Sequence, residues 1–436
     1  MEAAFKYLAP QHRWTTKLFK CLLRMATAVI LVIAALPYEV PEASAAGSGL
    51  RTDGSRIVDA AGNTVIIASV NWYGFEGPDH LPSGLDIQSY KDILNQTRRM
   101  GFNTVRIPFS NEMITLNPRI GTRLDANHEL IGLTSLEILD RIISYAGDIG
   151  LWIILDNHSS GSNRDEPYMT GLWYTPQYPH FVWVQHWKYL AGRYSGNSNV
   201  IAFDLRNEPH TAGPGPWSMS TYLYQGVTWG TGDPATDWRM AAEQAGNAVL
   251  SVNPSLLILV EGVHLYPDNA GGVYDFWWGG NLRGVADYPV RLSVPNRLVY
   301  STHDYGPDLY RQPWYNDTAT YESMSQIWDA YWGYILDSRF PHTAPIFVGE
   351  FGTCNIAALC VMDEQPGSQG QWFSYLIRYI HERGVSWSYW PLNGTYPTVR
   401  GASYGAPELY GLLGPHWLGP ALPAMVQVLS PLLNRR

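Results

Sequence analysis

Residues 200–209 read VIAFDLRNEP, an apolar run that ends in an amide, a carboxylate and a proline. A short, nearly continuous apolar run is typical of a strand buried on both faces, as strands are in a parallel sheet. Residues that follow such a strand lie at the carboxyl edge of the sheet. The segment therefore predicts a buried parallel strand over 200–205, with Asn207 and Glu208 just beyond its end.

Eight runs of this kind recur at fairly even intervals along the chain. They are Thr64–Val70, Thr104–Ile107, Trp152–Leu155, Val200–Leu205, Leu256–Val260, Leu298–Tyr300, Pro345–Val348 and Ser386–Trp390. Helix-like segments over 89–100, 135–149 and 237–250 lie between them. Strand followed by helix, repeated eight times, predicts an α/β fold, a (β/α)8 TIM barrel that forms a single domain with long βα loops.

Nearly every run ends in a polar or aromatic residue suited to chemistry. These residues are Asn71, Trp72, Arg106, Asn157, His158, Asn207, Glu208, Glu261, His303, Tyr305, Glu350 and Trp390. In a barrel of this type they converge at the carboxyl face, where active sites are built. Because burying such groups is unfavourable unless they are paired or used, the pattern predicts a functional site.

Glu208 and Glu350 follow the fourth and seventh runs, which face one another across the predicted mouth. Hydrolysis of a glycoside needs a proton donor and a second carboxylate, and retaining enzymes hold the two carboxyls about 5 Å apart. We expect Glu208 to be the acid/base and Glu350 the nucleophile. Arg106 and Tyr305 should keep Glu350 ionised, whereas its surroundings should keep Glu208 protonated.

Several further residues have the chemistry of sugar binding. Asn207 suits the 2-hydroxyl of a sugar, and His158 and His303 suit the positioning of substrate or of the two carboxylates. The chain has 18 tryptophans, whose flat faces stack on sugar rings. Five of them are predicted at the mouth: Trp72, Trp173, Trp277, Trp278 and Trp390.

Residues 1–46 have the order of parts of a secretory signal peptide. Basic residues precede an apolar run over 26–36, and the small residues Ala43-Ser44-Ala45 or Ser44-Ala45-Ala46 follow. A run of roughly 11 residues is shorter than the roughly 20 that span a bilayer, although a retained anchor is the alternative. We expect a secreted, extracellular protein whose catalytic domain is 47–436.

The formal net charge of −9 becomes more negative when the basic leader is set aside. A chain this acidic is a poor ligand for nucleic acid or anionic lipid, so we expect neither partner, and we expect a monomer. Cys354 and Cys360 favour a local disulfide in an oxidising compartment. A zinc site is the weaker alternative, and histidines 158, 210 and 303 lack metal-ligand spacing, so no metal or other cofactor is expected.

Two motifs carry a family resemblance. Asn207-Glu208-Pro209 and Gly349-Glu350-Phe351-Gly352 resemble the signature pair of glycoside hydrolase family 5, the cellulase family. The resemblance extends through 71–76, 103–108, 155–158, 248–254, 277–282 and 303–305. The longer matching segments resemble the bacterial secreted endo-β-1,4-glucanases of that family. The resemblance covers nearly all of 47–436.

The resemblance implies a barrel fold, a retaining double displacement, no cofactor and a β-glucan substrate. It assigns the acid/base to Glu208 and the nucleophile to Glu350. The other positions that it matches are Arg106, His158, Asn207, His303, Tyr305 and Trp390 in the glycone site, with Trp72 and Trp278 as sugar-stacking tryptophans. The long loop over 159–179, with Asp165 and Glu166, and the tail without a cellulose-binding module argue against crystalline cellulose.

Other activities share this fold and catalytic pair, because the loops set the substrate. The alternatives are β-mannanase, xyloglucanase, a glucosidase acting on other β-linkages, and a non-catalytic carbohydrate-binding protein. We expect a cleft open at both ends and therefore endo action.

Overall fold

Eight parallel strands close into the barrel that the sequence predicts. The strands of the chain are β1 (Arg51–Asp53), β2 (Arg56–Val58), β3 (Ala68–Asn71), β4 (Thr104–Ser110), β5 (Trp152–Ser159), β6 (Val200–Asp204), β7 (Leu257–Glu261), β8 (Leu265–Pro267), β9 (Val273–Asp275), β10 (Leu298–His303), β11 (Ile346–Phe351) and β12 (Ser386–Tyr389). The barrel order is β3, β4, β5, β6, β7, β10, β11, β12 and back to β3. The pairs β1–β2 and β8–β9 are antiparallel hairpins outside the barrel.

The computed structural model describes residues 49–162, 171–211, 226–268, 270–398 and 403–433. The predicted signal peptide and the loop residues Asp165 and Glu166 lie outside these ranges. All of the described residues belong to one unit that extends over 44–436. No helix in the described part of the chain combines the length and apolar character needed to cross a membrane.

Eight of the nine α-helices of the described residues lie between barrel strands in the chain, and the ninth follows the last strand. They are α1 (Tyr90–Arg99), α2 (Asn111–Leu116), α3 (Ser135–Asp148), α4 (His180–Arg193), α5 (Trp238–Leu250), α6 (Tyr321–Tyr331), α7 (Leu359–Met362), α8 (Gln369–Arg383) and α9 (Pro423–Leu429). The three predicted helices correspond to α1, α3 and α5. Each begins after an N-cap side chain, Ser89, Thr134 or Asp237, that accepts a backbone N–H of the first turn.

Six of the eight barrel strands extend further toward the carboxyl face than the apolar runs do, whereas β6 and β12 end one residue earlier. β5 continues to Ser159 and β10 to His303, so several candidate site residues lie inside strands. At the other end of the barrel, the first strand begins at Ala68 and not at Thr64. The reason is that Thr64 and Val65 pair with the β1–β2 hairpin, where Val65 N–H donates to the Ile57 carbonyl at 2.8 Å.

The interior of the barrel is closed at its amino-terminal end. Inward side chains of the strands, such as Ile154, Leu257 and Phe347, form an apolar cluster with Leu50 and Ile57 of the hairpin region. A second, larger cluster lies between the barrel and its helices. Because the amino-terminal half of the interior is packed and apolar, the polar residues can meet only at the carboxyl-terminal mouth.

Candidate active site

Arg106 of β4 lies at the centre of the mouth with no exposed surface. Its guanidinium lies 2.9 to 3.2 Å from a carboxylate oxygen of each of four acidic residues: Asp156, Asp204, Glu261 and Glu350. It also donates to the amide oxygens of Asn71 and Asn207, at 2.9 and 3.0 Å. Burial alone would lower the pKa of Arg106, but these carboxylates hold it well above its ordinary value. One buried cation therefore organises the whole site.

Glu350 of β11 is buried, with only 4% of its surface exposed. It accepts hydrogen bonds from Arg106 Nη1 and from the Tyr305 hydroxyl, both at 2.9 Å. Burial raises the pKa of Glu350 above its ordinary value, although the charges of His303 and Arg106 oppose this effect. The two donors fix both oxygens of the carboxylate in one orientation.

Glu208 follows β6 with a left-handed backbone, φ 46°, which is unfavourable for a residue with a side chain. Its N–H donates to Glu261 Oε2 at 2.7 Å, and its carbonyl lies 2.6 Å from His210 Nδ1. Gly279 approaches so closely that a Cβ there would lie 2.2 Å from Glu261 Oε2. These contacts hold the strained turn and place the Glu208 carboxylate at the mouth, with a quarter of the side chain exposed.

His303 of β10 joins the two candidate catalytic carboxylates. Its Nδ1 lies 3.1 Å from Glu208 Oε1 and 3.8 Å from Glu350 Oε2, and its Nε2 lies 3.2 Å from Glu261 Oε1. The donor atoms of Glu208, His303 and Glu350 all lie within 4.8 Å of one another. This group could also hold a metal ion, since it offers two carboxylates and an imidazole.

The pKa shifts of Glu208 and Glu350 run in directions opposite to those expected from the sequence. Burial alone would raise the pKa of Glu208, but the hydrogen bond and charge of His303 outweigh it and lower the pKa below its ordinary value. Burial alone would lower the pKa of His303, whereas Glu261 and Glu350 raise it well above its ordinary value. The reason for the difference is that His303 lies within 3.1 Å of Glu208 Oε1 and favours the ionised form of this carboxyl.

A stack of rings forms another part of the mouth. The Trp390 indole is partly exposed and lies nearly parallel to the Tyr73 ring, at 5.0 Å, and to the His158 ring, at 5.4 Å. His158 Nδ1 lies 2.7 Å from Asp156 Oδ2, and this carboxylate raises the pKa of His158, which burial alone would lower. The predicted residues His158 and Trp390 therefore share one surface.

Two further tryptophans follow β7. Trp278 is partly exposed and stacks on the His210 ring, with centroids 3.7 Å apart and an angle of 3°. Trp277 meets the Tyr305 ring edge-on at 6.0 Å. Both lie at the mouth, as the sequence predicts.

Trp72 and Trp173 do not line the mouth, and their predicted role in sugar stacking is wrong. Both are fully buried in the larger apolar cluster. Trp72 Nε1 donates to the Ser83 carbonyl at 3.1 Å. Trp173 packs against Trp183 and Trp238. Neither indole has a face free for a sugar, because other side chains cover both.

Asp156 and Asp204 are site residues that the sequence analysis missed. Each lies in a barrel strand with no exposed surface and pairs with Arg106. The signal was present, since an aspartate inside an apolar run must have a partner if the strand is buried. Glu261, which was expected at the end of a strand, pairs with the same guanidinium at 3.2 Å.

Cys354 and Cys360 form a disulfide just beyond β11, with their Cα atoms 5.4 Å apart. The Cys354 N–H donates to Asp308 Oδ2 at 3.2 Å. The bridge thus closes the loop that follows the strand carrying Glu350.

The sequence model of the family described as Cellulase (glycosyl hydrolase family 5) matches residues 58–395. An endoglucanase of Paenibacillus polymyxa is 43% identical over 343 residues, which cover 78% of this chain and 79% of the relative. The major extracellular endoglucanase of Xanthomonas campestris is 33% identical, over 86% and 71% of the two chains. A solved complex of an endocellulase from Pyrococcus horikoshii with cellotetraose has a TM-score of 0.73 and 32% identity, over 88% of this chain and 98% of that chain.

Proposed function

This chain belongs to glycosyl hydrolase family 5, the cellulase family, and on that premise we propose that it hydrolyses internal β-1,4 linkages of a β-glucan by a retaining double displacement. Glu350 is the nucleophile and Glu208 the acid/base. One observation carries the assignment: their carboxylate oxygens lie within 4.8 Å of each other. Retaining enzymes hold the carboxyls about 5–5.5 Å apart, whereas inverting enzymes need room for a water between them.

In the first step, a Glu350 oxygen attacks the anomeric carbon while Glu208 donates a proton to the departing glycosidic oxygen. The carbon–oxygen bond to the leaving sugar breaks, and an ester to Glu350 forms. Arg106 and Tyr305 hold the attacking carboxylate in place. A sugar over Glu208 removes water from that carboxyl and raises its pKa, which favours the acid form.

In the second step, Glu208 accepts a proton from a water that attacks the anomeric carbon, and the Glu350 ester is released. The negative charge of Glu350 is absent while the ester exists, so no neighbouring nucleophile charge then opposes the ionisation of Glu208. Glu208 is then a carboxylate and suits the role of base. The β-configuration is restored because each step inverts the anomeric carbon.

The aromatic rings at the mouth support a neutral polysaccharide as the substrate. The indoles of Trp390 and Trp278 are partly exposed and lie at the same mouth as the catalytic pair. Asn207 Oδ1 accepts from Arg106, which leaves its amide N–H groups for a sugar hydroxyl. Relatives named endoglucanases and the cellotetraose complex support a β-1,4-glucan chain.

Export belongs to the same proposal. The leader-like residues 1–46 and the relative named as a major extracellular endoglucanase both support secretion. Residues 47–436 then form the secreted catalytic domain, which acts on polysaccharide outside the cell.

The test of the activity uses Glu208→Gln with a panel of substrates. On carboxymethyl cellulose and barley β-glucan, we expect kcat/KM to fall by about 10²–10⁴-fold, because the leaving oxygen is no longer protonated. The first step on dinitrophenyl β-cellobioside should be much less affected, since that leaving group needs no proton. Burst kinetics and reducing-sugar release measure the two effects.

The exposed Glu322→Gln on α6 is the matched control and should retain full activity. Equal losses on the polysaccharide and in the dinitrophenyl burst would contradict the acid role of Glu208. Activity confined to glucomannan or xyloglucan would contradict the proposed substrate while leaving the mechanism in place.

The pKa of Glu350 makes a prediction about pH. Since Glu350 must be ionised to attack and burial raises its pKa, kcat/KM should fall as the pH decreases through that raised value. The His303 charge lowers the pKa of Glu350, so His303→Asn should move this acidic limb to higher pH. His381→Asn on α8 is the control and should leave the limb in place. A profile of His303→Asn that matches the native one would exclude this electrostatic link.

A further inference from the structure

Six large apolar side chains are exposed at one part of the carboxyl-terminal rim. Their exposed fractions lie between 50% and 73%, and we call this set the apolar rim: Leu309, Tyr310, Ile356, Leu359, Met362 and Leu409. They come from the three loops that follow β10, β11 and β12. Several exposed apolar side chains on neighbouring loops are uncommon on soluble proteins and suit a site of interaction.

The three loops of the apolar rim are joined to one another. The Cys354 N–H donates to Asp308 Oδ2 at 3.2 Å, and the Asn355 N–H donates to the Leu409 carbonyl at 2.8 Å. The disulfide to Cys360 closes the middle loop. The exposed side chains are therefore presented on a connected framework and not on three independent segments.

Residues 354–362 of the middle loop contain no charged side chain, and Asp363 and Glu364 follow them. Residues 354–362 read CNIAALCVM, and Cys360 and Val361 are buried while Ile356, Leu359 and Met362 are exposed. One side of the short helix α7 packs on the protein, and the other is directed to solvent. A neutral, apolar surface suits a neutral partner better than a charged one, because a charged partner would lose hydration without gaining a counter-charge.

The apolar rim is continuous with the catalytic cleft. Tyr305, whose hydroxyl donates to Glu350, meets Trp277 at 6.0 Å and Tyr410 at 6.5 Å. Trp277 in turn meets the exposed Tyr310 at 6.4 Å, and Tyr410 is the neighbour of Leu409. A line of rings thus leads from the nucleophile to the rim on both sides of Tyr305. A partner seated on the rim therefore adjoins whatever occupies the cleft.

We propose that the apolar rim binds the apolar face of ordered, insoluble β-1,4-glucan beside the chain that enters the cleft. The inference rests on the proposed function, because continuity with the cleft identifies the occupant as the same polymer. The faces of β-linked glucose rings carry axial C–H groups, and packed chains present them as a flat neutral surface. Aliphatic side chains bind such a surface by removing apolar area from water. The rim thereby directs the enzyme to the solid substrate that the sequence analysis argued against.

The test compares the native protein with the triple variant Ile356→Ser, Leu359→Ser, Met362→Ser. These side chains are exposed and lie outside the catalytic machinery, so kcat/KM on soluble carboxymethyl cellulose should stay within about twofold. Binding to microcrystalline cellulose, measured by depletion, should weaken by about tenfold, since three apolar contacts are lost. Sugar release from the same solid should fall with it.

Phe181→Ser is the matched control, because Phe181 is an equally exposed apolar residue on α4, in the opposite half of the barrel. It should leave cellulose binding unchanged, and equal melting temperatures establish that all three proteins are folded. Unchanged cellulose binding by the triple variant overturns the proposal. Two other outcomes would also overturn it. If the native protein sediments as a dimer and the triple variant does not, the rim binds a second copy of the chain. If the triple variant loses binding to phosphatidylcholine vesicles but still binds cellulose, the rim binds a lipid surface.

The two proposals fail in different ways. If the native protein does not hydrolyse soluble glucan, the proposed function is wrong whatever the depletion assay gives. If it hydrolyses soluble glucan but the triple variant binds cellulose normally, only the role of the apolar rim is wrong.

Discussion

Glu350→Ala is expected to lower kcat on soluble β-1,4-glucan by about 10⁴-fold or more, because no other group can form the covalent intermediate. The fold should persist, since Arg106 keeps three other carboxylate partners. Reducing-sugar release gives the rate, and circular dichroism gives the folded state. Residual activity within tenfold of the native protein would contradict the nucleophile assignment.

Azide distinguishes the two glutamates by stereochemistry. With an activated aryl β-cellobioside, azide should restore turnover of Glu350→Ala and give the α-glycosyl azide, since it attacks from the side that the carboxylate occupied. With Glu208→Ala it should attack the ester of Glu350 and give the β-glycosyl azide. Proton NMR of the anomeric centre distinguishes the α-azide from the β-azide. If Glu350→Ala gave the β-azide and Glu208→Ala the α-azide, the roles of the two glutamates would be reversed.

Arg106→Met is expected to have the largest effect on stability. The substitution leaves four buried carboxylates without their cation, and removing one partner of a buried ion pair costs about 3–5 kcal/mol. Urea denaturation at pH 7.5 measures the loss. The control is Arg378→Met, which breaks an exposed pair with Glu382 and should lower the free energy of unfolding far less.

The loss in Arg106→Met should shrink as the pH decreases. The pKa of Asp204 is raised well above its ordinary value by burial and by Glu261, and Arg106 opposes that rise. Without Arg106 the folded-state pKa rises further, so the folded form binds protons that the unfolded form does not. The free energy of unfolding of the Arg106→Met variant then increases as the pH falls. A stability difference from the native protein that is equal at pH 7.5 and pH 5 would contradict this account.

The barrel itself was predictable because its strands are buried on both faces and therefore read as apolar runs. Six of the eight strands were predicted too short at the carboxyl end, since polar residues such as His303 end the apolar pattern but remain paired in the barrel. The first strand was predicted too long, because Val65 has the composition of a strand but pairs with the amino-terminal hairpin. The composition of a segment indicates whether the segment is buried. The strand with which it pairs depends on contacts between parts of the chain that are distant in sequence.

The site residues were predictable where a polar side chain ends an apolar run, because that position places it at the carboxyl face of the barrel. Glu208, Glu350 and Arg106 lie together for this reason. Trp72 was misplaced because an indole with one N–H packs equally well in a core or against a sugar. The pKa directions of the two glutamates were missed because they depend on the position of His303 relative to both carboxylates, which no local pattern contains.

The convergence of so many partners on Arg106 has a consequence for how this enzyme can change during evolution. Two asparagines and four carboxylates share one guanidinium, so a substitution at any of them alters the surroundings of the other five. Double-mutant cycles between these positions should give strongly non-additive energies. We therefore expect a single replacement in this set to disturb the whole centre, whereas a replacement in an outer loop disturbs only its own neighbours. New substrate preferences should accordingly arise more readily through changes in the loops than through changes in this centre.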